Sequence, residues 1–315
     1  MIKMEIYEKV KDDSSLLPIL SLPVYIKENR LSPILCRRLE DYYGLVSDKL
    51  KNENEYDDNF FMDLRGIIDT IKKVIGLIDS CKFDEAYKEF SEYFKNSDVL
   101  KNCLVTLNTE VFYRARCGEI TSADDMFHVP VNKNYLCKSN RFSESGYPAL
   151  YLSNSETGCM AEIEAPWTVA KFKMKEAYSD EIKILDLTFL NFKTYKPIYE
   201  DPGEDISQKA MHLLWPLLAA CYCISFRCDI EHRQYEPKRD YKVEYVFPQM
   251  LSRFLREERS VDGIKYFTVR DENLNPNEET MADFVFFTNG YNEHGVDERL
   301  RRKFDISIIH KDVLI

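Results

Sequence analysis

The sequence predicts an α+β protein, with an all-helical N-terminal domain followed by a domain built on a mixed sheet. Apolar residues recur at helical spacing through roughly the first hundred residues. After that point, strand-like runs alternate with helical runs. The length of 315 residues is enough for two modest domains that each bury a core. We therefore predict one domain over residues 1–105 and a second over residues 106–315.

Three apolar stripes predict the helices of the first domain, because their members are spaced to share one helix face. The stripes are Leu35, Leu39, Tyr42, Val46 and Leu50; then Leu64, Ile67, Ile68, Ile71, Ile75 and Ile78; then Phe83, Ala86, Tyr87, Phe90 and Phe94. The polar run "KNENEYDDN" at 51–59 separates the first two helices. Such stripes are typical of a core, so we assign no catalytic chemistry to this domain and expect it to regulate, position or oligomerise the second.

Five runs of strand-like residues predict the sheet of the second domain: 110–115, 148–153, 182–188, 263–269 and 283–288. Helical patterns lie between them, at 155–165, at 207–226 and at 247–258, the last entered through Pro248. The most apolar segment, residues 210–226, is shorter than the roughly 20 residues that a membrane span needs. We predict that it is a buried core helix.

Composition limits the classes of partner. Charged residues make up 31% of the chain and its net charge is −11, which favours a soluble protein and disfavours nucleic acid or an anionic membrane as partner. An anionic small molecule would need arginines of its own. Nine cysteines and five histidines show no metal-ligand spacing, so no metal is expected. Scattered cysteines and the absence of a signal-peptide pattern at the start favour a cytoplasmic protein with reduced thiols.

One stretch of the second domain, residues 141–164, combines three residue types that suit a nucleotide with a reactive sugar bond. Arg141 is suited to bind phosphate, and Tyr151 offers a ring for stacking. Glu162, on the helix that follows, is suited to hold a ribose hydroxyl and to stabilise positive charge at the anomeric carbon. From spacing alone, the alternative of a surface arginine, a half-buried strand tyrosine and a solvated glutamate stays open.

Four blocks of sequence, in order along the chain, resemble the RES domain. They are "FYRARCG" at 112–118, "NRFSESGYPALYLSNSETGCMAEIE" at 140–164, "EYVFPQML" at 244–251 and "VDGIKYFT" at 261–268. The resemblance covers roughly residues 108–290. It implies a fold similar to that of ADP-ribosyltransferase toxins, and a helical accessory domain before it, as in some longer members of the family.

The resemblance also implies an activity. RES proteins act on NAD, and several are bacterial toxins that deplete it, some by transferring the ADP-ribosyl unit to phosphate. The resemblance therefore implies an NAD-consuming glycosyltransferase or hydrolase that breaks the nicotinamide–ribose bond. The acceptor would be inorganic phosphate, water or a protein side chain. As partners, it implies a possible antitoxin or regulatory protein, and we expect a homo-oligomer.

Matched motif by motif, the resemblance assigns five site residues. Arg114 matches an early arginine of the family, Arg141 the arginine of "GRF", Tyr151 the tyrosine of "LYL" and Glu162 the helix glutamate. Thr268 stands where the family has its serine and keeps the hydroxyl. The implied catalytic residues are Glu162, Tyr151 and Arg141. The implied NAD-binding residues are Arg114, Arg141, Tyr151 and Thr268.

Two departures from the family pattern keep a second function open. Asn140 replaces the glycine before "RF", and Ser143 replaces the asparagine after it. Asn140, together with Thr268, is compatible with a binding module that holds NAD or ADP-ribose without turnover. A less favoured alternative is a ribonuclease, suggested by the spacing of Arg227 and His232.

Overall fold

The computed structural model describes the chain over the following residues: 5–26, 30–108, 110–161, 163, 167–178, 181–188, 208–225, 241–258, 261–267 and 282–311. The α-helices in these ranges are α1 (Glu5–Val10), α2 (Leu17–Leu20), α3 (Ser32–Leu50), α4 (Asp58–Asp79), α5 (Phe83–Lys95), α6 (Glu156–Ala161), α7 (Gln208–Cys221), α8 (Val243–Glu258) and α9 (Glu298–Arg301). The strands are β1 (Val24–Ile26), β2 (Leu104–Thr106), β3 (Val111–Cys117), β4 (Ala149–Ser153), β5 (Trp167–Met174), β6 (Lys183–Asp186), β7 (Cys223–Ser225), β8 (Gly263–Phe267), β9 (Ala282–Phe287) and β10 (Phe304–Lys311). The predicted α+β class is confirmed.

The chain forms two compact units. The first contains residues 1–103 and 189–251, and the second contains residues 104–188 and 252–315. The first segment of this unit ends at residue 103, close to the predicted boundary at residue 105. This unit also contains residues 189–251, which lie within the predicted second domain. The single cut between residues 105 and 106 stays a prediction.

The three predicted N-terminal helices are present as α3, α4 and α5, and their apolar stripes form a core. Helix α4 shows the clearest case, because its isoleucines are fully buried in a row along one face. The side chain of Asp57 accepts a hydrogen bond from the Phe60 N–H at 3.1 Å and so caps the start of this helix. Phe83 is an exception to the predicted stripe: it is 39% exposed at the start of α5.

Helix α7 is the buried helix that the apolar segment predicts. The ring of Trp215 stacks on Tyr42 of α3, with centroids 3.9 Å apart, and its indole N–H donates to the Leu20 carbonyl at 3.3 Å. His212 Nδ1 lies 3.0 Å from the Tyr42 hydroxyl, and burial lowers the pKa of this histidine to about 3. The ring is therefore neutral near pH 7 and belongs to the core. Among the described residues, no helix is long and apolar enough to cross a membrane.

Two helix boundaries differ from the prediction. The segment predicted to be helical up to residue 226 leaves the helix at Cys221, and Cys223–Ser225 instead pair in parallel with β1. Helix α8 begins at Val243, so Pro248 lies inside the helix and does not open it. Hydrophobic periodicity did not locate the end of α7, because apolar residues continue past Cys221 in the sequence. It did not locate the start of α8 either, because the residues before Phe247 are mostly polar.

The second unit is built on a mixed sheet. Within the described residues its strand order is β10-β5-β3-β4-β9-β8-β6-β2, and all neighbours are antiparallel except the parallel pair β6 and β8. The predicted strands appear as β3, β4, β6, β8 and β9. Strands β2, β5 and β10 were not predicted. In β5 the lysines at 171 and 173 alternate with buried residues. Ala, Lys and Glu are frequent in and around this segment and are uncommon in strands, so the sequence did not indicate one.

One face of this sheet carries the core of the second unit. Phenylalanines from four strands meet there edge to face: Phe112, Phe172, Phe284, Phe286 and Phe304. Gly263 lets β8 approach β9 closely, because a Cβ at this position would lie 2.3 Å from the carbonyl oxygen of Val285. The glycine of the "VDGIKYFT" block thus has a packing reason.

The composition of the first unit predicts the behaviour of a truncated chain. A fragment of residues 106–315 would retain α7 but lack α3 and α4, which pack against it. The apolar surface of α7 would then be exposed to water, so we expect the fragment to aggregate. Size-exclusion chromatography and circular dichroism of the fragment and the full chain test this expectation. A monomeric fragment with native-like ellipticity would instead support a single cut at residue 105.

Candidate functional site

The sheet of the second unit is almost divided between β3 and β4. Strand β3 pairs with β5 from Val111 to Cys117, and β4 pairs with β9 from Ala149 to Ser153. Between β3 and β4 the described pairing is one residue pair, Tyr113 with Ser153. The predicted site residues Arg114 and Tyr151 lie next to this junction in sequence, one on each strand.

Arg141 lies at the tip of a tight hairpin. The N–H of Asn140 donates to the Ser143 carbonyl at 2.9 Å, and the N–H of Ser143 donates back to the Asn140 carbonyl at 3.3 Å. Phe142, the other tip residue, is fully buried, with its ring centroid 4.7 Å from that of Tyr266 on β8. Arg141 is only 8% exposed. The burial of Phe142 therefore helps to hold the charged side chain of Arg141 away from water.

The hairpin is bonded to Tyr151. The hydroxyl oxygens of Ser143 and Tyr151 are 2.8 Å apart. Along β4, Leu150 and Leu152 point into the core and Tyr151 points to the opposite face, where it is half-buried. The structure thus brings the Arg141 hairpin and the Tyr151 side chain together.

Arg114 has a different environment. It shares a face of β3 with the core residue Phe112, and its guanidinium donates to the Phe127 carbonyl at 3.1 Å. Burial and the neighbouring charge of Arg116 lower the pKa of Arg114 to about 9. Within the part of the chain that the structure describes, no carboxylate forms an ion pair with Arg114. Among the described residues, no neighbouring carboxylate therefore neutralises the charge of Arg114.

Arg114 is linked to the hairpin segment through Cys137. Burial raises the pKa of the Cys137 thiol, and the positive charge of Arg114 opposes that rise. The Cys137 carbonyl accepts a hydrogen bond from the Gly146 N–H at 3.0 Å, so it closes the segment that contains the hairpin. Arg114 therefore lies near the base of this segment, and its hydrogen bond goes to the Phe127 carbonyl and not to Arg141 or Tyr151.

Glu162 and Thr268, the other two predicted site residues, lie outside the described residues, as does Glu164. The same holds for Arg227 and His232, which suggested a ribonuclease. Their predicted roles stay predictions. Among the residues that the structure does describe, no three or more His, Cys, Asp or Glu side chains are grouped so that they could hold a metal ion.

The helix that leads to Glu162 is described up to Ala161. The side chain of Ser155 accepts a hydrogen bond from the Gly158 N–H at 3.2 Å and so caps the start of this helix, which packs against β3, β4 and β5. Burial raises the pKa of the Cys159 thiol to about 12, with further contributions from the charges of Glu156 and Asp283. Helix α6 therefore lies near Asp283, a residue of β9.

Sequence reasoning missed a row of polar side chains across the sheet. Strand register places Tyr113, Ser153, Asp283 and Tyr266 directly opposite one another on four neighbouring strands. Since Ser153 is two residues after Tyr151, the whole row shares the face of Tyr151. Asp283 is 9% exposed and so is a nearly buried carboxylate on this face. These four residues are neighbours only because of the strand register, so no local sequence pattern predicts the row.

Comparison with known proteins supports the resemblance. Residues 111–290, more than half of the chain, match the sequence profile of the RES domain. A protein of Bacillus subtilis (strain 168) named "Putative toxin YopC" is 26% identical over 266 residues. The matched region is 76% of this chain and 55% of that protein, so the chain spans about half the length of this relative. No solved structure matches the chain significantly.

The bond between Ser143 and Tyr151 can be tested through stability. We expect Ser143→Ala and Tyr151→Phe each to lower the free energy of unfolding by about 1 kcal/mol, because each removes one partner of a partly buried hydrogen bond. The double variant should lose less than the sum, with a coupling of about 0.5–1.5 kcal/mol in urea unfolding. Tyr135→Phe, at a side chain that is 77% exposed, is the control and should change nothing. Strict additivity of the two substitutions would contradict the bond.

Proposed function

The chain belongs to the RES domain family, and from this membership we propose that it is an enzyme that consumes NAD by cleaving the nicotinamide–ribose bond. The observation that carries the proposal is the pairing of a nearly buried guanidinium, Arg141, with the ring of Tyr151 through the hairpin bond of Ser143. A guanidinium binds phosphate through two parallel hydrogen bonds, and an aromatic ring stacks on a base or packs on a sugar. Together they suit a dinucleotide.

The arginines supply a local positive charge on a chain whose net charge is −11. We propose that Arg141 binds the pyrophosphate of NAD and that Arg114 binds the same group or an attacking phosphate. The depressed pKa of Arg114 supports this role, because an anion bound there would relieve the unfavourable burial of its charge. Thr268 would donate its hydroxyl to a phosphate or a ribose.

The proposed reaction breaks the bond between the anomeric carbon of the ribose and the ring nitrogen of nicotinamide. Nicotinamide leaves as a neutral molecule with the bonding electron pair, and the ribose carries positive charge. Glu162 would stabilise that charge and orient the 2′-hydroxyl, while Tyr151 packs on the nicotinamide or the ribose. An oxygen of phosphate, of water or of a protein side chain then bonds to the anomeric carbon. Any proton that the acceptor carries on that oxygen passes to solvent or to a base.

The biological setting is part of the proposal. Because a relative is named as a toxin, we propose that this chain acts as a toxin or defence effector in the cytoplasm, restrained by an antitoxin or regulatory protein. We propose that the first unit regulates, positions or oligomerises the second. The second candidate is a module that binds NAD or ADP-ribose without turnover, and the departures from the family pattern at Asn140 and Thr268 favour it.

Release of nicotinamide from NAD tests the proposed function, with Glu162→Gln as the diagnostic variant. The substitution keeps the shape of the side chain and removes its charge, so release should fall by on the order of 10²-fold or more. Chromatography of the products, with and without inorganic phosphate, separates transfer to phosphate from hydrolysis. Wild-type protein that binds NAD but releases no nicotinamide would identify a binding module. An unchanged rate in the variant would remove Glu162 from the mechanism.

The arginines can be separated by a matched pair of substitutions. Lysine keeps the charge but cannot form two parallel hydrogen bonds with a phosphate, so Arg141→Lys should raise the KM for NAD about tenfold. Arg116→Lys should leave KM within about twofold, because Arg116 donates to the backbone carbonyl of Asp125. Initial rates over a range of NAD concentrations measure both. Equal effects of the two substitutions would show that Arg141 is not the phosphate-binding residue.

A further inference from the structure

A five-residue turn, residues 144–148, joins the Arg141 hairpin to β4. The Tyr147 N–H donates to the Glu144 carbonyl at 3.2 Å, which closes a β-turn. Gly146, its third residue, has a φ of +83°, a value that glycine adopts without strain. This turn is the direct covalent connection between Arg141 and Tyr151, so its conformation contributes to the distance between them.

Helix α8 contacts this turn through Arg256. The Nη2 atom of Arg256 lies 3.0 Å from one carboxylate oxygen of Glu144 and 2.9 Å from the other. The guanidinium carbon also lies 3.9 Å from the centre of the Tyr147 ring. The side chains of Arg256 and Glu144 are only 18% and 37% exposed. Partial burial, two acceptor contacts and a cation–π contact make this a stronger interaction than an ordinary surface ion pair.

The opposite side of the turn is held by the residues after β9. The Tyr147 hydroxyl donates to the Thr288 carbonyl at 2.9 Å and accepts from the Thr288 N–H at 3.0 Å. The Thr288 hydroxyl in turn donates to the Pro148 carbonyl and lies 2.8 Å from the Tyr291 hydroxyl. Tyr147 is thus bonded to the backbone at its hydroxyl and covered by Arg256 on its ring.

Resting on the proposed function, we propose that Arg256, acting through Glu144 and Tyr147, is a positioning residue for NAD cleavage. Arg256 contacts the turn and not the hairpin tip, so its effect on the reaction passes through the turn. A displacement of about 1 Å between groups that bind a substrate can cost on the order of 10²-fold in rate. The clamp formed by Arg256, Glu144 and Tyr147 holds Arg141 and Tyr151 at the spacing that one NAD molecule requires.

Kinetics of Arg256→Lys test the proposal. Lysine keeps the charge and can pair with Glu144, because a single nitrogen of Arg256 makes both contacts with that carboxylate. Lysine lacks the planar guanidinium that lies over the Tyr147 ring, so the combined contact with Glu144 and Tyr147 is lost. We expect kcat/KM for NAD to fall at least tenfold per folded molecule. Arg253→Lys is the matched control on the same helix, because Arg253 pairs with Glu257 at 3.0 Å with both side chains about half exposed. The control should stay within twofold of the wild type.

A double variant and hydrogen exchange distinguish positioning from a general loss of stability. If Arg256 acts through Glu144, Arg256→Lys combined with Glu144→Gln should lower kcat/KM no further than the more damaging single change. Amide hydrogen exchange should accelerate in residues 138–152 of Arg256→Lys and not of Arg253→Lys. Full additivity, unchanged exchange in that segment or near-normal kcat/KM would each overturn the proposal. A wild-type protein inactive on NAD would refute the proposed function instead, while the exchange measurement would still decide whether Arg256 orders the turn.

Discussion

The arrangement of the candidate site depends on the burial of Phe142. This side chain packs against Tyr266 on β8, and its neighbours Asn140 and Ser143 close the hairpin with two backbone hydrogen bonds. Fixing an apolar anchor in this way holds the adjacent Arg141 in a position where its charge is almost fully removed from water. Burying a large aromatic side chain contributes roughly 2–3 kcal/mol, which helps to offset the cost of ordering and desolvating the arginine.

The sheet gives the hairpin a surface with a suitable chemistry. One face is filled by phenylalanines and leucines, so it is committed to the core. The other face carries Tyr151 and the polar row that includes Asp283, and the hairpin is bonded to this face through Ser143. Because β3 and β4 share a single described residue pair, the polar face lies where the sheet is least continuous. Tyr151 and the polar row lie on the face opposite this core, whereas Arg114 shares the core face of β3 beside the same junction.

Much of the fold was predictable from the sequence, and the reasons are physical. The isoleucine stripe of α4 and the apolar run of α7 are long and strongly periodic, and such segments depend mainly on local pattern. Strand β10 was missed because it follows a charged segment near the end of the chain and lies at the edge of the sheet. Tyr151 and Arg141 were found by their motifs. Spacing alone did not distinguish them from a surface tyrosine and arginine.

Other parts of the site depend on contacts between residues that are far apart in the sequence, and no local pattern predicts such contacts. Asp283 joins Ser153 only through strand register, and Arg256 reaches Glu144 across 112 residues of sequence. Ser143 shows how a departure from a family motif acquires a meaning in three dimensions. As a sequence difference it suggested altered activity, whereas in the structure its hydroxyl connects the hairpin to Tyr151.

We propose that Arg141 and Tyr151 bind one dinucleotide beside the polar row of the sheet. A crystal structure of the full chain with ADP-ribose tests it most directly, since this ligand keeps the pyrophosphate and both riboses but has no bond to nicotinamide left to cleave. We expect a pyrophosphate oxygen within hydrogen-bonding distance of the Arg141 guanidinium and a ribose against the ring of Tyr151. Ligand bound elsewhere on the chain, with Arg141 and Tyr151 both out of contact with it, would show that these two residues do not form the dinucleotide site.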